Sequence, residues 1–396
     1  MRAINRAAVL RALKDLGSVS RAGIARHSGM SQVTVGSIVA DLLDRELLVE
    51  GDEAPSNGGR PSRLLLLNAA AYAAVGLKLT EDHVVGAITD LEANVTLEAT
   101  RPLTGRTPEA VADLIAETVT GLLKESGTDR HRLLGVGVGM AGVVDGTEGV
   151  CRHSPFLRWR DVPIGALVGD RVQVPVLVEN DVNTLALAER WFGAGRGERD
   201  FLLVTVGRGV GLGIVADGSL YRGAGGAGEF GHTVVDGSTR VCTCGRTGCL
   251  ETIVGEAGLI AAAREVGNGR RPRRPRDLGD LYLAVEDDPD LRNVVEDAGR
   301  ALGRGIANLV NLFAPRLVIV SGEVLHVSSV LVESATAAID DHVFPGLEGS
   351  FEVVAEPLPE SAWARGAASL VLSEIFETPT RTQLDLLSAL GAGGGA

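Results

Sequence analysis

The stretch VCTCGRTGCLE, Val241 to Glu251, holds three of the chain's four cysteines. Cys242, Cys244 and Cys249 stand in a C-x-C-x4-C spacing with Gly245 and Gly248 between them. Glycine lets so short a loop fold back until its sulfurs face one centre. Thiolates are soft ligands, and a tetrahedral, sulfur-rich donor set favours zinc. A closed site needs a fourth ligand. His232, upstream in GEFGH, is the best candidate, with Cys151 and His153 as weaker ones. The alternative is free thiols or a local disulfide. So few cysteines do not make a disulfide scaffold, and a reducing, cytoplasmic setting suits them.

Two further stretches carry chemistry. VENDVNTLALAERWFG sets Asn180 and Asp181 at the end of an apolar strand, just before a helix. Sheets with helices on both faces place ligands there. A carboxylate beside an amide can hold adjacent sugar hydroxyls; the competing role for such a pair is a helix cap. TVGRGVGLGIV (Thr205–Val215) is a glycine-rich turn, and a lone G-x-G-x-G describes a tight hairpin as well as a nucleotide loop.

GAGGAGEFGHTVVDGSTRVCTCGRTGCLE (Gly223–Glu251) strongly resembles the ROK family, sugar kinases and sugar-responsive repressors; the resemblance covers about Ala74 to Leu372. It implies an actin-like, two-lobed α/β fold. It implies zinc held by His232, Cys242, Cys244 and Cys249, and a monosaccharide held between the lobes by Asn180, Asp181, Glu229, His232 and Glu251. The backbone of Gly142 in GMAGVVD would line that pocket. Zinc is then structural: a metal-bound imidazole turns its other N–H outward as a fixed donor, and no open position remains to activate water. Ala141 replaces the family's usual Pro, and Phe156 in SPFLRW replaces the Asn of A-P-N-L-x-W. The sugar stays open among glucose, N-acetylglucosamine and xylose.

Kinases of the family follow their first strand with D-x-G-G-T, whose glycines let backbone N–H groups approach phosphates while the acid serves the metal. In AAVGLKLTEDHVV, Lys78 replaces the Asp, Thr80 and Glu81 the glycines, and Asp82 the Thr. Lys78 could still attract phosphate, but both glycines and the metal acid are gone. The expectation is sugar binding without phosphoryl transfer, with no catalytic residue and with Asp181 as an acceptor. A kinase fused to a DNA-binding head is the alternative, and a regulator worked by a partner protein is a third.

The elements around these residues fall into two patterns. The first forty residues carry six Arg or Lys and one acid, a net +5 in a chain of net −13. That asymmetry confines nucleic-acid contact to the N-terminus. Val9, Leu13 and Leu16 mark a first helix ended by Gly17. Ser20 caps a second, Arg21–His27, with Ile24 and Ala25 inward. Gly29 turns, and Ser31 caps a third with Val35, Ile38, Val39 and Leu42 inward. A hairpin of Leu47–Glu50 and Leu64–Leu67 adds a wing, giving a winged helix-turn-helix over residues 1–70. Its third helix would enter the major groove of double-stranded operator DNA with Ser31, Gln32, Thr34 and Ser37. Arg21 and Arg26 would grip phosphates, and Arg60 in NGGRPSR, which resembles the wing of the family's repressors, would reach the minor groove. The basic run GRRPRRPRD (Gly269–Asp277) reads as a solvated loop.

From Tyr72 the pattern is α/β. Strands are expected at Ala74–Leu79, Val84–Thr89, Leu133–Val138, Val176–Val178, Phe201–Val206, Leu212–Val215, Leu317–Val320 and Phe351–Ala355. Helices are expected at Pro108–Glu125, Val182–Phe192, Leu291–Phe313, Ser329–His342 and Ser361–Phe376. The expected divisions are a first lobe over 71–180, a second over 181–360 with the cysteines, a helix over 361–378 returning to the first lobe, and a disordered tail over 379–396. No stretch is apolar enough to span a membrane, and no internal repeat stands out. DNA half-sites are usually paired, so a homodimer or homotetramer is expected.

Overall fold

Val9, Leu10 and Leu13 are buried along one stripe of the first helix, α1 (Arg2–Leu16), and Gly17 ends it in the left-handed region. Leu16 stays exposed, and Leu10 takes the inward place expected of it. The computed structural model describes residues 2–53, 62–235, 238–266, 275–326, 329–358 and 361–376. After α1 come β1 (Val19–Ser20), α2 (Arg21–Ser28) and α3 (Gln32–Asp44). The Ser20 and Ser31 hydroxyls accept from Gly23 N and Thr34 N, as N-caps do. Gly29 turns between α2 and α3 with a φ of 70°. The hairpin of β2 (Leu48–Glu53) and β3 (Arg63–Leu67) pairs with β1 in the order β1-β3-β2. Arg60 lies outside the described residues.

The chain divides into two units, Met1–Phe192 with Trp363–Ala396, and Gly193–Ala362. The division thus falls one helix later than the sequence places it. Past the head, the first unit continues with β4 (Ala73–Leu79), β5 (His83–Thr89), β6 (Val95–Pro102), α4 (Pro108–Ser126) and β7 (Leu133–Met140). It goes on with β8 (Val143–Asp145), β9 (Val150–Ser154), β10 (Trp159–Val162), α5 (Ile164–Val172), β11 (Val176–Asn180) and α6 (Asp181–Phe192). Its main sheet has the order β11-β7-β4-β5-β6, parallel across the first three strands and antiparallel across the last three.

The second unit holds β12 (Phe201–Val206), β13 (Val210–Ala216), β14 (Ser219–Leu220), α7 (Glu251–Val254), α8 (Glu256–Val266), α9 (Leu278–Val285), α10 (Pro289–Phe313), β15 (Leu317–Ser321), α11 (Ser329–His342) and β16 (Glu352–Glu356). Its sheet, β16-β15-β12-β13-β14, repeats the same pattern of parallel and antiparallel pairs. Leu302, Ile306 and Val310 of α10 are buried against this sheet and α11, each contributing about 1.5–3 kcal/mol.

The last helix, α12 (Ser361–Phe376), belongs from Trp363 onward to the first unit. A Cβ at Gly76 of β4 or Gly137 of β7 would strike the α12 backbone at Ala364, Ala367 and Ala368. Those glycines let helix and sheet meet at backbone distance. No described helix is long and apolar enough to cross a membrane.

Candidate functional site

Two short ladders build the cysteine loop. Val235 N donates to Gly248 O and Leu250 N to Thr233 O, while Cys242 N donates to Arg246 O. Gly245 and Gly248 take φ of 85° and 84°, which a side chain would resist. The ligand atoms of His232, Cys242, Cys244 and Cys249 then lie within 4.8 Å of one another. Cys244 Sγ is 3.6 Å from Cys249 Sγ, and Cys242 Sγ is 3.4 Å from His232 Nδ1. A tetrahedral ion with metal–sulfur bonds of about 2.3 Å sets sulfurs about 3.8 Å apart, so the four residues can hold one metal ion. Cys151 and His153 sit on β9 of the other unit, outside this cluster.

The three thiols differ in electrostatic setting. Burial, with the neighbouring thiols adding to it, pushes the Cys249 thiol up to about 12. Burial raises Cys242 too, whereas the Arg246 backbone N–H lowers the exposed Cys244. Three sulfurs this close do not all ionise unless positive charge joins them.

His232 presents Nδ1 to the cluster, and its Nε2 lies 3.7 Å from Glu229 Oε2. Glu251, in the first turn of α7, accepts from Thr243 Oγ1 at 3.2 Å and from Val210 N at 3.3 Å. Its Oε1 stands 3.6 Å from Cys242 Sγ. The donor set therefore joins directly to the two carboxylates expected to meet a sugar.

The other expected contacts gather in the first unit. Asn180 Oδ1 accepts from Val182 N and Asn183 N and so caps α6, while Nδ2 donates to Gly142 O at 3.1 Å. The amide is thus a helix cap and a tether for the glycine turn at once. Gly142 has a φ of 118°, and a Cβ there would strike His153 O. Asp181 is buried; Oδ1 accepts from Val182 N and Oδ2 pairs with Lys78 Nζ. Trp159 is buried with its indole N–H on Arg106 O, while Phe156 is exposed.

Side chains of the protein itself lie in both turns that the sequence compares with phosphate loops. Between β4 and β5, the Thr80 hydroxyl accepts from His83 N at 3.0 Å and from Asp82 N at 3.4 Å. Those two backbone N–H groups thus already share a partner inside the turn. In the glycine turn after β12, a Cβ on Gly207 would collide with the Glu323 carboxylate. A carboxylate there repels phosphate. Glu323 escapes a motif search because it lies far along the chain, after β15.

At the start of α3, Ser31 and Gln32 are exposed, Thr34 is half-buried and Ser37 is exposed. The Ser31 and Thr34 hydroxyls bond each other at 2.8 Å. The Gln32 side chain has no hydrogen-bond partner among the described residues. Val33, 84% exposed, is an apolar contact that the sequence reading passes over. Arg21 pairs with Glu50 at 3.0 Å, and Arg26 is exposed at the end of α2.

The model of the ROK family matches residues 74–374. The xylose repressor of Bacillus subtilis is 27% identical over 95% of this chain and 97% of its own length. The transcriptional dual regulator NagC of Escherichia coli is 29% identical over 93% and 92%. Among solved structures, a ROK transcriptional regulator described as a homolog of the E. coli MLC protein superposes with a TM-score of 0.84 at 23% identity, over 99% of both chains. A ROK glucokinase from Streptomyces griseus, in complex with glucose and AMPPNP, gives 0.66 at 29% identity, over 75% of this chain and 98% of its own. The family model reaches across both five-stranded sheets and the cysteine loop, which lies in sequence between β14 and β15 of the second, and the chain belongs to the ROK family.

Proposed function

We propose that this chain is a sugar-responsive transcriptional regulator, a repressor of genes for carbohydrate uptake or use, acting in the cytoplasm as a homodimer or homotetramer. The observation that carries this most directly is the head: a helix-turn-helix whose third helix exposes its first residues, on a chain aligned almost end to end with repressors. The glucokinase aligns with only 75% of the chain.

A monosaccharide would take hydroxyl contacts from Gly142, Asn180, Asp181, Glu229, His232 and Glu251. His232 Nδ1 and the sulfurs of Cys242, Cys244 and Cys249 would hold zinc. The ion would supply a closed structural centre that fixes the imidazole. His232 Nε2, turned away from the cluster toward Glu229, is then a donor of set direction.

The head is wired to the sugar-binding helix. Lys14 Nζ sits 4.0 Å from the centroid of the Phe192 ring, at the far end of the helix that Asp181 begins. Arg11 donates to Phe376 O at 3.1 Å, and the Phe376 ring meets Trp191 with centroids 5.5 Å apart. A sugar shifts the DNA equilibrium only as far as its affinity differs between the two states, and these contacts give the two sites a shared element.

Two results are expected. Gln32→Ala should weaken operator binding at least fivefold, consistent with about 1–3 kcal/mol for a bidentate base contact, and relax base preference at one position in each half-site. A binding titration against single-base operator variants reads both; unchanged affinity and preference would remove Gln32 from the interface. With ATP, magnesium and glucose, xylose or N-acetylglucosamine, a coupled assay should detect no ADP, because Thr80 and Glu323 fill the two phosphate turns. Turnover with any of these sugars would establish a kinase with a fused head.

A further inference from the structure

The geometry points to Lys78 as a sugar ligand that acts with Asp181 as one donor–acceptor pair, reading a single hydroxyl as both donor and acceptor. The inference rests on the sugar-binding function proposed above and extends it to a residue that the family pattern does not supply, since Lys78 stands in place of an acid.

Lys78 lies on the central strand β4, near its end. Its ammonium pairs with Asp181 Oδ2 and rests 4.3 Å from the centroid of the Trp363 ring. An ammonium has three N–H donors; here one goes to the carboxylate and the ring face takes up positive charge. At least one donor is left over among the described residues. Asp181 Oδ1 takes the Val182 N–H, and each carboxylate oxygen keeps a second lone pair. The Lys78 and Asp181 side chains are 13% and 9% exposed, so the pair is largely shielded from water yet open along one edge.

Charge decides what such an edge recognises. A lone buried lysine would draw a phosphate or carboxylate. The Lys78–Asp181 pair is neutral as a unit, so an anion gains nothing at the ammonium without paying repulsion at the carboxylate. A sugar hydroxyl suits both halves: it donates to Asp181 and accepts from Lys78. Discrimination against a sugar lacking that hydroxyl is then steep, because its absence leaves a donor and an acceptor unsatisfied in a shielded site. Trp363 fixes the ammonium from the side of α12 and limits the rotamers it must give up on binding.

The test is calorimetric titration of the full-length protein and its Lys78→Met variant. The ligands are D-glucose, D-xylose and N-acetylglucosamine, followed by the monodeoxy and deoxyfluoro derivatives of whichever binds. Lys78→Met should weaken the parent sugar about tenfold or more, as loss of a hydrogen bond from a charged donor does. At one ring position the wild type should lose about tenfold or more on deoxygenation, and the variant less than about threefold. Lys78→Met leaves a shielded carboxylate unpaired, so the double variant Lys78→Met/Asp181→Asn, neutral at both positions, is titrated as well. It should show the same flattened response to deoxygenation with a folded circular dichroism spectrum.

Three results would overturn the inference: full affinity in Lys78→Met, weakened affinity with the deoxygenation penalty unchanged at every position, or a gain from a 6-phosphate that Lys78→Met abolishes. The second assigns Lys78 to holding Asp181 alone, and the third makes it an anion site. A wild type that binds none of the sugars defeats the sugar-binding function itself, and this inference with it.

Discussion

Cys249→Ser should strip the protein of its metal and lower the thermal midpoint of the second unit by about 6–12 °C. Cys249 is buried within the cluster, and its sulfur is 3.6 Å from that of Cys244. A serine hydroxyl is a poor ligand for a soft, sulfur-rich site. Structural zinc contributes roughly 10–16 kcal/mol to small domains that fold around it. Here an ion would close one loop of a larger unit, so a smaller share is expected. A loss of about 3 kcal/mol shifts the midpoint of a 150–250-residue unit by about 6–12 °C. Metal analysis should find one zinc per wild-type chain and far less in the variant, and a strong chelator should reproduce the shift. The sugar response should fall with it if, as proposed, the ion directs His232 Nε2. A variant with wild-type midpoint and full sugar response would show the cluster to be dispensable, and a wild type purified without metal would remove zinc from the account.

Asp181→Asn should weaken sugar binding at least tenfold, and Asp181→Ala about a hundredfold. Asp181 is the side chain with most invested in it: buried, at the first turn of α6, bonded to Val182 N and paired with Lys78. Hydrogen bonds to charged groups contribute about 1.5–3 kcal/mol each, so losing one or two charged contacts gives those factors. Alanine also leaves the Lys78 ammonium unpaired, and breaking a buried pair costs about 3–5 kcal/mol. The near-isosteric asparagine separates recognition from stability. Operator binding without sugar should survive in Asp181→Asn, since the head does not use the residue. If regulation in cells were untouched by either change, a partner protein would be the switch and the sugar pocket vestigial.

The local signals in the sequence were the ones set by short-range rules. Caps at Ser20 and Ser31, turns at Gly17 and Gly29, and the inner face Val35, Ile38, Val39 and Leu42 place the head helices correctly. Phe201–Val206, Ser329–His342 and Ser361–Phe376 have the expected limits because apolar runs or punctuating residues bound them sharply. The edge strand Val95–Pro102 was missed. It alternates half-buried and exposed positions with Glu98 and Arg101 on it, and a solvated edge carries little apolar signal. The short strands β8 to β10 and the helices α5, α8 and α9 were missed as well; each is short and holds its shape through packing.

The repeated sheet topology was equally hidden. Both five-stranded sheets share one pattern of pairing, but any apolar β-branched run can fill a buried strand, so the repeat leaves no trace in residue identity. The cysteine cluster was legible because chemistry fixes its residue types. The contacts in the two glycine-type turns were half legible: Thr80 lies in the stretch compared with the kinase motif, whereas Glu323 reaches Gly207 only through the fold. The pairing of Lys78 with Asp181 could not be read at all, since it joins residues from β4 and α6 that only the packed sheet brings together.

The most direct test of the central claim is fluorescence anisotropy of the purified protein on DNA from upstream of its own gene, at one fixed salt concentration. Titrations are run without sugar and with saturating glucose, xylose or N-acetylglucosamine. One sugar should shift the midpoint about fivefold or more, the range of a coupling free energy of about 1–3 kcal/mol between two sites, and Asp181→Asn should require far more of that sugar for the same shift. Tight DNA binding that is identical with and without every sugar would contradict the account.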